Sequence, residues 1–536
     1  MKLTRRLSRP RSRLAVAALA GLTAVPLLLA GCADAGREEP SPSASSTGAG
    51  APRGDTLTIA VSAPATGINP ASVNTAFAMY ALLAYEPLVY RATGGTIQPG
   101  LAESWEINDD NTQIDFTIRD GMSFADGEPV TAEAVKASLD YCGSEASVNR
   151  QTMAHIASVT VPTDGLVSVK LAAPNPSIES MLSQGGGCGM IISPSGLADI
   201  DNLTVDNDSA GAGAYIYRAA ESVPGDTYTY VANSEYFDKD AKQHYERVVL
   251  RVIANPQAAL NALQTGQVDI TVGDLTTAAQ AKEAGLNLAW TPFIWAGLNL
   301  IDRGGETTPA LGDVRVRQAI NYAIDRDSIA AALLGEFGVP TAQIAAEGFD
   351  GHSEELKDAY PYDPDKAKAL LADAGYADGF TLPVMTVAFG GLDVLVTALT
   401  PMLAEVGITL EPTVATDEKT YIDGMVNRQY SAVAIGYGSQ PMYEMGQGLV
   451  IPTALPFNGF GTDDPEAMAI LDRLARAGGD DQRALAVELS TYLTEQAWFA
   501  PVMFGPQISY YTDTVAGIEI SGASPTVQVL DVRSAG

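Results

Sequence analysis

Apolar side chains recur at every second position in several segments of the chain, and this period predicts β-strands. Leu57, Ile59 and Val61 form the first such segment, a strand with one buried face. The same alternation marks three later segments, at residues 114–118, 167–171 and 248–252. Four strands are therefore predicted at widely separated positions in the chain.

Spacings of three and four residues predict helices between these strands. The clearest one follows Asp313, with apolar side chains at Val316, Ala319, Ile320, Ala323 and Ile324. Asp313, Asp363 and Thr131 are residue types that cap helix N-termini. Strand and helix signals alternate along the whole body without a fixed repeat, which predicts an α/β fold rather than a β-sandwich or a helix bundle.

The N-terminus has the pattern of an export signal. Residues 2–13 carry six basic side chains and no acidic one, and residues 14–30 form an apolar stretch. The stretch ends in Leu29-Ala30-Gly31-Cys32, which resembles the lipobox of bacterial lipoproteins. We therefore expect residues 1–31 to be a lipoprotein signal peptide and Cys32 to be lipidated. A plain secretory signal and an uncleaved anchor are the alternatives, and Arg5-Arg6 leaves Sec and twin-arginine export both open.

The segment after the signal predicts a spacer, because it is rich in Ser, Pro, Gly and Ala and contains too few apolar residues for a core. We place this flexible linker at residues 32–53. Beyond Cys32, the chain has two cysteines, Cys142 and Cys188. Outside the cytoplasm an even number of thiols is consistent with one disulfide, with two buried free thiols as the alternative.

Charge and residue counts exclude several classes of function. The chain has 64 acidic and 32 basic side chains, so its net charge is −32, and removal of residues 1–31 makes it −38. Such acidity argues against nucleic acid as a partner, because phosphate binding needs a basic surface. Three His and three Cys leave little for a zinc or iron–sulfur site, so we expect no metal and no cofactor.

No motif of a nucleotide-driven motor, a serine hydrolase or a zinc protease occurs in the chain. The sequence therefore favours a protein that is not an enzyme. Two well-placed carboxylates suffice for a glycosidase, so a secreted hydrolase is one alternative function. A sensor lipoprotein that does not serve a transporter is the other.

Several motifs resemble, in order, those of the bacterial extracellular solute-binding proteins of family 5. They include Leu101-Ala-Glu-Ser-Trp105, Phe116-Thr-Ile-Arg-Asp-Gly121, Phe124-Ala-Asp-Gly127, Gly211-Ala-Gly-Ala-Tyr215 and Asp313-Val-Arg-Val-Arg-Gln-Ala-Ile320. This family comprises the peptide- and nickel-type receptors of ABC importers. The resemblance implies a two-lobed periplasmic-binding-protein-like fold with a hinge and an extra subdomain in the first lobe.

The resemblance also implies domain boundaries. The first lobe would span 54–293, with an inserted subdomain at about 96–209, and the second lobe 294–498. Residues 499–536 would return to the first lobe. A small solute would bind between the lobes, and the loaded receptor would deliver it to a permease. We expect a monomer outside the cytoplasm, anchored to the cell membrane through Cys32.

Ligand-binding residues are predicted from positions where the family places cleft residues. The predicted set comprises Trp295, Asn299, Tyr437, Gln440, Asn458 and Phe460 in the second lobe, and Asn69 and Tyr215 in the first. Each has an alternative role in the core or in a turn. After Tyr437, where peptide receptors often have an Asp, the chain has no carboxylate until Glu444. This departure favours a neutral or acidic peptide derivative, or a sugar-like solute, over a simple free-amine peptide.

Overall fold

The computed structural model describes residues 54–73, 78–454 and 456–535. The predicted signal peptide, the linker up to residue 53 and Cys32 lie outside these residues. Within them, no helix is long and apolar enough to cross a membrane.

An eleven-stranded sheet runs through the described part of the molecule and connects its two lobes. Ten strands follow one another across the sheet in the order Ile408–Ala415, Phe380–Val387, Ala432–Gly438, Asn287–Asn299, Phe499–Tyr511, Ile270–Gly273, Gly54–Val61, Tyr245–Val252, Thr227–Ala232 and Tyr215–Tyr217. The short strand Val339–Pro340 pairs with Phe499–Tyr511. The predicted strands at 57–61 and 248–252 are confirmed and pair in parallel with each other.

Two strands of 13 residues each, Asn287–Asn299 and Phe499–Tyr511, are paired antiparallel at the centre of this sheet. One end of the pair lies beside the first-lobe strand Ile270–Gly273, and the other end lies beside the second-lobe strand Ala432–Gly438. The pairing shifts register between Pro292 and Ile294. A second shift lies between Ala296 and Gly297, and each shift interrupts the ladder locally.

A second sheet of four strands lies in the segment predicted as the inserted subdomain. Its order is Ala102–Ile107, Gln113–Ile118, Leu166–Leu171 and Ile156–Thr163. A disulfide joins Cys142, at the end of helix Ala132–Cys142, to Cys188, with a Cα–Cα distance of 5.9 Å. Two small sheets pair Val89–Arg91 with Ile97–Pro99, and Val515–Ala516 with Arg533–Ser534.

Seventeen α-helices are present among the described residues. They are Ala78–Leu82, Ala132–Cys142, Arg150–Met153, Ile178–Met181, Pro194–Ala198, Lys239–Lys242, Pro256–Gln264, Leu275–Glu283, Val314–Tyr322, Arg326–Leu334, Glu354–Lys357, Pro364–Asp373, Leu392–Glu405, Glu418–Val426, Met442–Leu449, Pro465–Arg476 and Gly479–Glu495. The predicted caps are confirmed: the side chains of Thr131, Asp313 and Asp363 each accept a backbone N–H of the first turn.

One helix is shorter than its apolar period predicted. It ends at Tyr322, and Ala323 is its C-cap. Ala323 and Ile324 are nevertheless fully buried, because the turn that follows stays against the second-lobe core. The mixed α/β fold predicted from the sequence is confirmed, with each lobe built around its own core.

Candidate functional site

A cavity of about 610 Å³ lies between the two predicted lobes. The first lobe contributes helix Ala78–Leu82, residues 180–186 and the C-terminal residues 523–529, and the second contributes Phe349 and residues 439–444. Phe293, at the register shift of the long strands, also lines it. A site in this position touches both lobes and the connection between them.

A second compartment of about 410 Å³ adjoins this cavity. The two compartments share the lining residues Arg91, Ser180, Phe349, Pro441 and Ala523. Together they form a cleft of the size that small organic ligands occupy in proteins, which is a few hundred to about 1,000 Å³.

Arg91 stands at the junction of the two compartments, at the end of the short strand Val89–Arg91. The side-chain amide of Gln184 holds its backbone from both sides. Gln184 Oε1 accepts the Arg91 N–H at 2.8 Å, and Gln184 Nε2 donates to the Arg91 carbonyl at 2.8 Å. The guanidinium carbon lies 6.0 Å from the ring centre of Phe349 in the other lobe. The backbone that carries this cation is therefore fixed.

Two carboxyl groups from the second lobe face the same cleft. Burial raises the pKa of Glu444, and the positive charge of Arg91 opposes this rise. Burial also raises the pKa of Asp350, whose carboxylate accepts the Met442 N–H at 2.8 Å. Neither carboxylate forms an ion pair within 4.0 Å of Arg91 in the described part of the chain. The cleft thus holds opposite charges that are near each other but not paired.

Two buried polar atoms around the cleft, Arg91 Nε and Ser439 Oγ, have no hydrogen-bond partner among the described residues. The buried hydroxyl of Ser177 lies beside Glu444, and its hydrogen bond to that carboxyl opposes the rise of the Glu444 pKa. Ser177 is 4% exposed and lines the smaller compartment, and Ser439 is 2% exposed and lines the larger one. Buried polar groups normally find a partner, so their grouping here indicates a surface that a polar ligand completes.

Direct hydrogen bonds also join the lobes beside the cleft. Asn111 Nδ2 donates to the carbonyls of Ala475 and Ala477 at 3.1 and 2.8 Å, at the C-terminus of helix Pro465–Arg476. The Tyr443 hydroxyl donates to the Pro174 carbonyl at 3.0 Å. Both contacts link the predicted inserted subdomain to the second lobe, so the described conformation brings the lobes into contact.

Of the eight residues predicted from the sequence, Gln440 lines the cleft. Tyr437, three residues earlier, is half-buried on strand Ala432–Gly438 and packs edge-on against Phe457, with ring centres 5.2 Å apart. Trp295 is fully buried and packs against Phe499 at 5.4 Å. For Tyr437 and Trp295, the observed contacts are those of core residues.

The predicted amides of the second lobe surround a buried cation. Asn299 accepts from Arg303 Nη2 at 2.7 Å and donates to the Phe457 carbonyl at 2.8 Å. Asn458 is also buried and accepts from Arg303 Nη1 at 3.3 Å. The Arg303 guanidinium lies 3.9 Å from the ring centre of Trp498. These hydrogen bonds stabilise the interior of the lobe away from the cleft lining.

The remaining predicted residues also lie in the interior. Phe460 is buried in a small apolar cluster of the second lobe. Asn69 donates to the Leu203 carbonyl at 2.9 Å and accepts from the N–H groups of Ala71 and Ser72. Tyr215 donates to the Tyr245 carbonyl at 3.3 Å. Ligand binding by these residues stays a prediction, and the contacts seen are those of the structural alternatives that the sequence left open.

Sequence reasoning missed Arg91, Ser177 and Phe349, which line the cleft. Arg91 follows the apolar residues Leu88, Val89 and Tyr90. A single charge at the end of such an apolar run was the one sequence feature that could have indicated a cleft residue. No group of three or more His, Cys, Asp or Glu side chains in the described residues is arranged to hold a metal ion.

Comparison with known proteins gives relatives by sequence. The family model described as bacterial extracellular solute-binding proteins, family 5 Middle, matches residues 96–448. A putative ABC transporter peptide-binding protein of Brucella ovis is 28% identical over 354 residues, which cover 63% of this chain and 64% of the relative. The nickel-binding periplasmic protein of Escherichia coli is 29% identical over 323 residues, covering 56% of each chain.

Comparison with solved structures supports the two-lobed fold. The structure of HbpA2 from Haemophilus parasuis matches with a TM-score of 0.78 at 21% identity, covering 90% of this chain and all of that one. Because the family model covers more than half of the sequence, the chain belongs to the bacterial extracellular solute-binding proteins of family 5.

Proposed function

We propose that this protein is the extracytoplasmic substrate-binding receptor of an ABC importer. It captures an oligopeptide or a similar small organic solute between its lobes and delivers it to a permease in the membrane. The observation that carries this proposal is the cleft lined by both lobes and by Phe293 at the register shift. The peptide-binding name of the Brucella relative supports the same ligand class.

The cleft position explains how binding would be signalled. A ligand that touches both lobes binds the closed conformation better than the open one, and it shifts the population by that difference in affinity. The long paired strands would keep the lobes connected during closure. The permease would then distinguish loaded from empty receptor by shape.

The experiment is to identify what the receptor carries and whether it is altered. Protein purified from its native envelope should release a small solute that mass spectrometry identifies, and the same solute should raise the melting temperature when added back. At 100 times the dissociation constant the expected stabilisation is about 2.7 kcal/mol. Recovery of the solute in chemically unchanged form supports a receptor without catalysis. Release of a converted product would favour the hydrolase instead.

Membrane attachment through Cys32 is the second part of the proposal. It rests on the lipobox-like sequence before Cys32, since these residues lie outside the described structure. Two or more acyl chains on one cysteine hold a protein firmly at a bilayer. Wild-type protein should incorporate labelled palmitate and sediment with membranes, whereas Cys32→Ser should lose both properties. Unchanged labelling of the variant would refute the assignment.

A further inference from the structure

We propose that the C-terminal residues 521–529 are a binding element of the cleft, and that this wall meets the second lobe at Gly522 when the lobes close. This inference rests on the proposed receptor function and names the segment on which closure depends. Seven consecutive residues, 523–529, line the larger compartment, and Ala523 also lines the smaller one. The segment therefore forms a continuous wall that reaches both compartments.

The first lobe holds this wall at both ends. At one end, the Ser521 hydroxyl donates to the carbonyl of Thr93, in the turn after the strand that carries Arg91. At the other end, Val527 and Val529 are buried in the first-lobe core. A hydrogen bond and apolar packing thus fix the position of the wall on the first lobe.

Hydrogen bonds within the segment also keep it in one shape. Ser521 and Ser524 exchange backbone hydrogen bonds of 2.9 and 3.1 Å, which close a tight turn. Gln528 Nε2 donates to Ser524 Oγ at 2.6 Å, and Gln528 Oε1 accepts from Gln184 Nε2 at 3.4 Å. The wall is consequently formed by contacts of the first lobe alone, without help from the second.

Gly522 lies in this turn and touches the second lobe. A Cβ placed on Gly522 would stand 2.3 Å from the carbonyl oxygen of Glu347, whereas non-bonded atoms in good contact lie about 3.5–4.0 Å apart. The φ of Gly522 is not positive, so the close approach of the two backbones, and not the conformation of the turn, requires a glycine here.

The second-lobe side of this contact is equally well anchored. Ala346 and Phe349, on either side of Glu347, are buried in one core of the second lobe. Because each backbone is fixed to its own lobe, the contact between Gly522 and Glu347 separates only when the lobes separate. A Cβ on Gly522 would therefore destabilise the closed conformation and leave the open one unchanged, which lowers the affinity for any ligand that needs closure.

The test introduces this single Cβ. Wild-type protein purified from its native envelope is denatured, and the low-molecular-mass extract that it releases is the probe. Dialysed Gly522→Ala should bind the extract about 10- to 100-fold more weakly than wild type in equilibrium dialysis, with bound solute measured by mass spectrometry. At an extract concentration that saturates the wild type, small-angle X-ray scattering should give a larger radius of gyration for the variant.

Two further variants control the comparison. Gly304→Ala is the matched control, because Gly304 lies in an exposed turn of the second lobe and a Cβ there would meet nothing within 4 Å in the described part of the chain. It should bind the extract as wild type does. Ser521→Ala adds no atom but removes the hydrogen bond to Thr93, and it should weaken binding about 2- to 10-fold. Melting curves of the dialysed proteins show which variants are folded.

The outcomes separate the two proposals. Weaker binding and an expanded shape in folded Gly522→Ala, with neither change in Gly304→Ala, support the C-terminal wall. Wild-type binding and shape in folded Gly522→Ala, or equal weakening in both glycine variants, overturn it while the receptor function stands. If Gly522→Ala does not fold, wild-type affinity in Ser521→Ala overturns the wall and weaker binding supports it. Release of no small solute by wild-type protein overturns the receptor function and this inference together.

Discussion

Replacing Asn111 by Gly should weaken the contact between the lobes without disturbing the turn that carries it. Asn111 has a φ of 54°, a left-handed conformation that Gly adopts without strain. The substitution removes two hydrogen bonds, to the carbonyls of Ala475 and Ala477. These carbonyls belong to the last turn of a helix, where no backbone partner is available.

The magnitude follows from these two bonds. Each net hydrogen bond contributes about 0.5–1.5 kcal/mol, so two would stabilise the conformation with touching lobes by about 1–3 kcal/mol. Water can reach the carbonyls once the lobes separate, which favours the lower half of this range. A change of 1–2 kcal/mol corresponds to a shift of about 5- to 30-fold in the equilibrium between open and closed forms.

Small-angle X-ray scattering of ligand-free protein measures this shift through the radius of gyration, which should increase in Asn111→Gly. Asn108→Ala is the matched control, because Asn108 lies in the same turn and its side chain hydrogen-bonds to Thr112 and Gln113 rather than to the second lobe. Equal scattering from wild type and both variants would show that Asn111 does not hold the lobes together. Equal expansion in both variants would assign the effect to the turn.

Three further predictions concern stability. Burial raises the pKa of Glu86 to about 8 from 4.5, so the folded protein keeps a proton that the unfolded chain releases, and wild-type stability should fall as pH rises through this window. In urea unfolding at pH 5 and pH 8, the free energy of unfolding should fall less in Glu86→Gln than in wild type. An equal fall in both proteins would contradict this. Replacing Cys142 and Cys188 by Ser opens a loop whose ends are 46 residues apart in the sequence. The free energy of unfolding, measured by thermal unfolding, should fall by about 2–4 kcal/mol. Reductant should cause the same loss in the wild type and no further loss in the variant. Gly213→Ala places a Cβ against the carbonyl of Ala84 and should cost about 1–3 kcal/mol in urea unfolding, and a variant of wild-type stability would refute the close packing.

The local elements of the fold could be read from the sequence because their signals are local. Alternation at residues 57–61 and 248–252, and capping residues such as Asp313 and Asp363, depend on neighbours within a few positions. The order of family motifs then placed these elements in a two-lobed receptor. The family match and the structure therefore confirm features that short segments of the sequence already contain.

The cleft could not be predicted in the same way. Trp295 and Asn458 carry side chains suited to ligand binding, yet one packs against Phe499 and the other bonds to Arg303 in the interior. Which face of a strand points to the cleft depends on the elements that cover the opposite face. The sequence contains the aromatic and amide groups but gives no account of which ones the fold leaves accessible.

By itself, the sequence determined the export signal pattern, the acidity and the α/β fold class, because composition and short-range period specify them, and its ordered motifs carried the resemblance to the family. Only the tertiary structure brought Arg91, Ser177 and Ser439 to one cleft, from positions up to 348 residues apart in the chain. Arg91 Nε and Ser439 Oγ lack hydrogen-bond partners because they are buried, and burial is created by tertiary packing, which no short segment of the chain encodes.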